Sequence, residues 1–359
     1  MKNLGWVLLA IFVAALAGIG LARRDQIGEA LLLRGAREAM ARDSIASLGP
    51  GLHAAFCGTG SPLPDAGRAG PCAAVIAGGR LFVFDAGEGA SETLARMGLA
   101  PGRVEAVFLT HFHSDHIDGL GALMLQHWAG GASKSKLAVY GPEGVASITD
   151  GFNTAYAQDR DYRIAHHGSA IMSPLGFGLA PQAFVSPPAG QLISVYSQSG
   201  VSVQAFLVDH GPVSPAVGYL VRAGGRSLVI SGDTRAGAPG LLTAAQRTDL
   251  LIHEALSPRL THIMGTAANA QSEARLAQIF TDIENYHTSP KEAAQLAQRA
   301  KARALVLTHL VPAPRIRLLE GPFLDGARGQ FSGPLWLARD GDVISVAEDG
   351  KISRRSLLR

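Results

Sequence analysis

Cysteine is nearly absent, with two in 359 residues. Cys57 and Cys72 are too few to build a cysteine-ligated structural zinc site, and their spacing matches no redox motif. A disulfide across the short loop between two expected strands and a pair of inert buried thiols are equally consistent with them. Charge is sparse too: 17% of residues are charged against 47% hydrophobic, which excludes a disordered chain and leaves a globular or membrane-associated one. The net charge of +3 comes without a run of about five or six Lys or Arg, so no nucleic-acid stripe declares itself. No internal repeat or low-complexity tract is visible, and one sizeable core is the expectation. What is abundant is glycine, 43 residues, which points to many tight turns.

One long apolar run exists. From Leu4 to Ala22 no residue is charged, and at ~1.5 Å per residue a helix there would span about 28 Å, close to a bilayer core. Lys2 supplies a short positive start, and Ala15-Leu16-Ala17 resembles a cleavage site. The run continues to Ala22, however, which favours an uncleaved anchor. Residues 1–24 are therefore expected to be a signal anchor or signal peptide and 25–50 a helical stalk, with Ile27, Leu31, Arg34 and Glu38 at helical spacing. Residues 51–348 form the expected globular domain. Arg23 and Arg24 weaken the positive-inside contrast with Lys2. The expectation is a membrane-anchored or exported protein whose domain is periplasmic or extracellular, the cytoplasmic face being the alternative.

Within the domain, short apolar runs bounded by glycine read as strands: Leu52–Phe56, Ala73–Ile76, Leu81–Phe84, Val104–Leu109 and Leu137–Tyr140. A second series follows at Val201–Val208, Val217–Val221, Ser227–Ile230, Leu250–Ile252 and Ala304–Leu307. Helical patterns cover Ser91–Met97, Gly119–Trp128, Ala270–Ile283 and Pro290–Lys301. The last starts with a Ser289-x-x-Glu292 capping box and Pro290 at its first position. Leu335–Val346, with Asp340-Gly341 in the middle, reads as a hairpin. Two series of strands with intervening helices suggest an α/β (α+β) arrangement of two face-to-face sheets covered by helices. Residues 151–200 fit least and are read as an insertion or lid, where His166, His167, Arg163 and Tyr162 offer donors for an anion.

The chemistry is concentrated after the strand Val104–Leu109. Thr110-His111-Phe112-His113-Ser114-Asp115-His116 places four potential metal ligands in six residues. Imidazole and carboxylate suit zinc or another borderline divalent ion, and a single turn carrying four of them feeds two metal sites. Other strands also stop at ligand-type residues: Asp209-His210, Ser231-Gly232-Asp233-Thr234 and Thr308-His309. Taken singly, each reads as a turn cap or a hydrogen-bonded histidine. Jointly they complete a seven-ligand site.

The His-x-His-x-Asp-His run, the Asp-His ahead of Gly218-Tyr219, the Ser-Gly-Asp-Thr and the Thr-His, in that order, resemble the metallo-β-lactamase superfamily over residues 52–346. The resemblance implies a four-layer αββα sandwich. It also implies two divalent metal ions, with zinc expected: His111, His113 and His210 would hold one, Asp115, His116 and His309 the other, and Asp233 would bridge them. Gly58-Thr59-Gly60-Ser61-Pro62 and Asp85-Ala86-Gly87-Glu88-Gly89 look like the opening motifs of ribonuclease Z and the related zinc arylsulfatases. So do His253-Glu254-Ala255 and His287-Thr288-Ser289. In that subgroup the glutamate, here Glu254, orients the histidine, here His287.

Two such ions about 3.5 to 4 Å apart lower the pKa of a shared water and neutralise charge on the attacked group, which suits phosphodiesters or sulfate esters. Asp115 is the expected general base and His287 the group that protonates the leaving oxygen. The favoured expectation is a binuclear hydrolase of phosphodiester or sulfate-type esters. The alternative is a ribonuclease Z-like endonuclease trimming the 3′ end of precursor transfer RNA, and a non-catalytic binding protein ranks third because no ligand is missing. The expected partners are an anionic ester, the membrane through the N-terminal helix, and a second copy in a homodimer. Nucleic acid is admitted but not favoured, because residues 140–201 contain few lysines to grip it.

Overall fold

The structure, a computed structural model, describes residue 6 and residues 23–358, so the apolar run Leu4–Ala22, apart from Trp6, lies outside the described residues. Among the described residues no helix is long and apolar enough to cross a membrane. The chain divides into two units, residues 1–43 and 44–359. In the first, helix α1 (Arg24–Ala41) buries none of its residues and carries an Arg34–Glu38 pair at 2.8 Å, the i,i+4 spacing read from the sequence.

The second unit is a sandwich of two sheets. β1 (Gly51–Gly58), β2 (Cys72–Ala77), β3 (Arg80–Phe84), β4 (Val104–Phe108), β5 (Leu137–Gly141) and β6 (Leu179–Ala183) lie side by side in chain order. The second sheet holds β7 (Leu192–Gln198), β8 (Val201–Leu207), β9 (Val217–Ala223), β10 (Arg226–Ile230), β11 (Leu250–Leu256), β12 (Leu305–Val311) and β13 (Leu335–Leu337), also in chain order. β14 (Asp342–Ala347) and β15 (Ile352–Ser356) return to the first sheet beside β1. Both sheets change character midway. β1 to β3 pair antiparallel and β3 to β6 parallel, while β8 to β10 pair antiparallel and β10 to β13 parallel.

The apolar runs exist because most of these strands are buried on both faces, as parallel strands covered by helices must be. Side chains alternate along each strand, so Ala54 and Phe56 face the other sheet while Ala55 and Cys57 face outward. The layer between the sheets contains Phe82, Phe84 and Phe108 from the first and Val203, Tyr219 and Ile252 from the second. The few aromatic residues are spent here: Phe84 stacks on Phe108 at 4.9 Å, and Phe108 stacks on Tyr140 at 4.9 Å. Outside the first sheet, α2 (Ala90–Arg96), α3 (Ser114–Ile117), α4 (Leu120–Leu125), α5 (Val145–Ala155) and α6 (Ala157–His167) follow its strands. Outside the second, α7 (Pro239–Ala245), α8 (Pro258–Ala270), α9 (Ala274–Asp282), α10 (Pro290–Ala300) and α11 (Glu320–Leu324) do the same. This is the expected αββα layering.

Four local expectations take definite form. Residues 151–200, expected as an insertion or lid, supply the end of α5, all of α6, the edge strand β6 and β7. The helical pattern at Ala270–Ile283 splits into α8 and α9, broken at Ser272, whose φ is 63°. The Asp340-Gly341 turn does not close a hairpin: β13 pairs with β12 and β14 with β1, so the turn carries the chain from one sheet to the other. Its reason is long-range, because Asp340 accepts from Thr59 N (3.0 Å), Thr59 Oγ1 (2.6 Å) and Ala69 N (2.6 Å), while Gly341 N donates to Phe56 O (2.8 Å). Finally, Cys57 and Cys72 form a disulfide between β1 and β2, with Cα atoms 5.0 Å apart, at the base of the loop that Asp340 pins.

Candidate metal centre

The functional side chains sit where strands of both sheets end. β3 stops at Asp85, whose φ of 56° turns the chain sharply. Its carboxylate accepts from Thr110 N (2.8 Å), from Thr110 Oγ1 (2.8 Å) and from His116 Nδ1 (2.9 Å). Thr110 Oγ1, having donated its proton, accepts from His111 Nδ1 at 3.0 Å. Across the site, His210 Nδ1 donates to the Tyr286 carbonyl at 3.0 Å. Three rings thus have Nδ1 committed and Nε2 turned into the site, the orientation that metal-binding histidines take from their supporting acceptors.

Close packing brings the loops together. Gly232, with φ 62°, lies so near Thr110 that an added Cβ would meet Thr110 Cβ at 3.1 Å and Val217 O at 2.6 Å, so only glycine fits before Asp233. The Tyr219 hydroxyl donates to Leu109 O at 2.5 Å, tying the second sheet to the strand that feeds His111. His309 is the extra residue of a bulge: Glu254 pairs with Thr308, Ala255 with Leu310, and His309 itself has φ 45°. A bulge re-aims a side chain without ending the strand, so β12 runs on to Val311 instead of stopping at Leu307 as expected.

All seven expected donors meet. His111, His113, His210 and Asp233 offer ligand atoms within 4.8 Å of one another, as do Asp115, His116 and His309. Asp233 Oδ2 reaches both groups, lying 4.0 Å from His111 Nε2, 3.8 Å from His210 Nε2, 3.4 Å from His116 Nε2 and 3.2 Å from His309 Nε2. The donor set fits divalent cations on a chemical ground. His111 Nε2 and His210 Nε2 point lone pairs at the same atom, His113 Nδ1, from 3.1 and 3.4 Å. One imidazole proton cannot satisfy both, whereas a cation accepts all three nitrogens.

The electrostatics agree. Burial pushes His111 well below its ordinary pKa and lowers His113 and His210, so these rings are neutral donors. Burial also opposes charge on His116, yet Asp233, Asp85 and Asp115 outweigh it and hold the ring well above its ordinary value. Burial would raise Asp233, but His309 and His116 keep its carboxyl well below the usual range. The second group is therefore a negative well that draws positive charge.

Glu254, buried on β11, accepts from Thr234 N (3.2 Å), Thr288 N (3.0 Å) and His287 Nδ1 (3.2 Å). It ties the turn after β10 to the segment that enters α10, where the expected capping box at Ser289 is present. Burial lowers His287, but the charge and hydrogen bond of Glu254 and the charge of Asp233 prevail and raise it to about 9. One ring nitrogen of His287 lies within 4.8 Å of donor atoms of Asp233 and His309. A cavity of about 1080 Å³ opens on Asp115, walled by residues 61–70 and by Glu88, Arg315 and Arg339.

Residues 80–310 match the family described as a beta-lactamase superfamily domain. The chain belongs to the metallo-β-lactamase superfamily. Members are metal-dependent hydrolases, and so is this protein. It is similar to a ribonuclease Z of Mycobacterium marinum, 36% identical over 297 residues that make up 82% of this chain and 99% of that relative. A ribonuclease Z of Mycobacterium bovis is 34% identical over 264 residues, 73% of this chain and 87% of the relative. Two solved structures share the superfamily fold. The metallo-β-lactamase fold protein YhfI of Bacillus subtilis superposes with TM-score 0.58 at 19% identity, over 82% of this chain and 99% of that one. The short form of human tRNase Z does so with TM-score 0.57 at 24% identity, over 82% and 98%.

Not every sequence candidate belongs to the centre. His166, His167 and Tyr162 are exposed on α6, and Arg163 pairs with Asp159 on the same helix at 2.7 Å. Conversely, Asp85 was visible only as part of an opening motif, although its position at the end of an apolar strand is the same signal that marks the metal donors.

Proposed function

We propose that this superfamily member is a phosphodiesterase of the ribonuclease Z type, cutting RNA on the 3′ side of precursor transfer RNA. The observation that carries the reading is His287 held on Glu254 beside the two donor groups, in a chain that matches a ribonuclease Z over 99% of the relative's length. Of the phosphodiester and sulfate-type esters expected from the sequence, the phosphodiester has this support and the sulfate ester has none comparable.

His111, His113 and His210 would hold one zinc ion, and Asp115, His116 and His309 the other, with Asp233 common to both. Bound there, the pair supplies Lewis acidity and a water acidic enough to attack near neutral pH. Asp115 takes up the proton that the attacking water loses. Burial would raise the pKa of Asp115, but the charge of His116 and a hydrogen bond from His309 at 3.3 Å outweigh it and keep the carboxyl below its ordinary range. His287, with Nδ1 on Glu254, keeps Nε2 to protonate the departing oxygen. Glu254 positions it and balances its charge.

The test offers one metal-loaded preparation a precursor transfer RNA with a 3′ trailer, bis-(p-nitrophenyl) phosphate and an aryl sulfate. Trailer removal that His113→Ala and His287→Ala abolish is the expected result. Turnover of the sulfate with the RNA left intact would overturn the reading.

A second reading is favoured by the Cys57–Cys72 bridge, since structural disulfides persist in oxidising compartments. Together with the apolar Leu4–Ala22 run it supports an exported hydrolase of a smaller anionic phosphodiester. A reporter fused to the C-terminus decides between them: activity only inside the cytoplasm removes the exported reading.

A further inference from the structure

The two sheets share an open side. The first ends there on β15 and the second on β13, and Arg354 of β15 donates to Leu337 O of β13 at 3.1 Å. Between these edge strands lies a cleft of about 690 Å³ whose lining includes Arg317, Arg328, Arg339 and Arg354, with Trp336 beside them. Only two carboxylates, Glu320 and Asp342, share the lining. They neutralise Arg339 (2.6 Å) and Arg354 (2.7 Å) respectively. Arg328 has a backbone carbonyl, Leu335 O at 3.2 Å, and no carboxylate, while the Arg317 side chain makes no hydrogen bond or ion pair among the described residues.

Two guanidinium groups without counter-charge, next to two paired ones, leave the cleft positive. Guanidinium is the group whose planar fork matches phosphate oxygens. Trp336 is half-buried, one side packed against the layer between the sheets, and it lines the cleft as an aromatic surface of the kind on which bases stack. Position supports the same ligand. Arg339 also lines the larger cavity that opens on Asp115, so the two cavities share one guanidinium.

We propose that this cleft is a second binding site, which grips the phosphates of a single-stranded RNA segment flanking the bond cut at the metal centre, with a base on Trp336. The proposal rests on the RNA-cleaving reading and extends it to a surface outside the metal donors. The four arginines come from four separate segments, so no basic run marks them in the sequence.

The experiment uses the full metal-loaded chain, a cleavage-resistant 2′-O-methyl RNA oligonucleotide, and the double variant Arg317→Glu with Arg328→Glu. Both side chains are exposed, and thermal melting and metal content check that the variant is folded. Affinity is expected to fall about tenfold or more. The slope of log K against log salt should drop by about 1.4, two phosphate contacts at about 0.7 each. For precursor transfer RNA, the ratio of its kcat/KM to that of bis-(p-nitrophenyl) phosphate should fall with it, and the lysine pair Arg317→Lys with Arg328→Lys should retain most of the slope. An unchanged affinity and slope, or binding to anionic lipid vesicles in place of RNA, overturns the site. If the wild type leaves precursor RNA intact but binds the oligonucleotide through these arginines, the proposed function falls and the site stands. If the glutamate variant processes precursor RNA like the wild type, the reverse holds.

Discussion

The two sheets are wired alike, antiparallel strands first and parallel strands after, yet they divide the chemistry unequally. The first sheet delivers His111, His113, Asp115 and His116 from one loop after β4, supported by a single aspartate at the end of β3. The second delivers one group at a time: His210 after β8, Asp233 after β10, Glu254 on β11, His287 ahead of α10 and His309 from a bulge in β12. A local loop needs only its own turn to place four donors. The dispersed set depends on every crossover of the second sheet, and it nevertheless supplies both the aspartate shared by the two donor groups and the His287–Glu254 pair.

The largest effect should come from breaking the shared group. Asp233→Ala should abolish detectable phosphodiester turnover and leave fewer than two ions per chain by metal analysis, a greater loss than the roughly 10–100-fold typical of supporting residues. A variant that keeps two ions and near-normal turnover would refute the sharing. Next in size is His287→Ala, expected to lower kcat by about 10² to 10⁴-fold with both ions retained. Loss of an ion would instead make His287 a ligand, a role its distance to Asp233 and His309 also permits.

The supporting carboxylates sharpen the contrast between the halves. Asp85→Asn and Glu254→Gln should each cost about 10–100-fold. The first should appear in metal affinity, because Asp85 orients ligand histidines, and the second in kcat, because Glu254 orients His287. Identical signatures would erase the distinction.

Two smaller effects concern the frame. Replacing Cys57 and Cys72 by alanine should lower the unfolding free energy, read by chemical denaturation, by about 3 kcal/mol, the chain-entropy value for a loop of this length. Smallest is the Glu105 network, in which Arg80 on β3 and Tyr196 on β7 meet Glu105 on β4, the tyrosine at 2.7 Å. Arg80 holds Glu105 below its ordinary 4.5, so the pair stabilises the fold above that pH and its contribution is lost as pH falls through the lowered value. Glu105 is partly exposed, and solvent screening keeps the effect within about 1 kcal/mol. Acid titration of Glu105→Gln should lack this component.

Most strand positions were legible within a residue or two, because strands buried on both faces appear as unbroken apolar runs such as Ala73–Ile76. The donors were legible for a related reason: apolar runs that stop at His or Asp name the residues at the rim of a sandwich. Pairing partners were not legible. Asp340-Gly341 has the composition of a hairpin turn, but Thr59 and Ala69, more than two hundred residues away, claim its carboxylate and send the chain across to the other sheet. The helix break at Ser272 and the bulge at His309 are likewise positive-φ positions occupied by residues that do not advertise them.

By itself the sequence determined the kinds of chemistry: histidines and aspartates at strand ends as donors for divalent cations, four of them in one loop, and a capped helix behind His287. These are properties of residue identity and of spacing along a few neighbouring positions. Family resemblance implied that Asp233 faces both groups and that Glu254 holds His287, and the fold brings them together; tertiary structure alone decided that Cys57 meets Cys72 and that four scattered arginines line one cleft. Each of those depends on which strands pair and on which sheet they join, and that choice is made by burial of the whole layered core, not by any local stretch of chain.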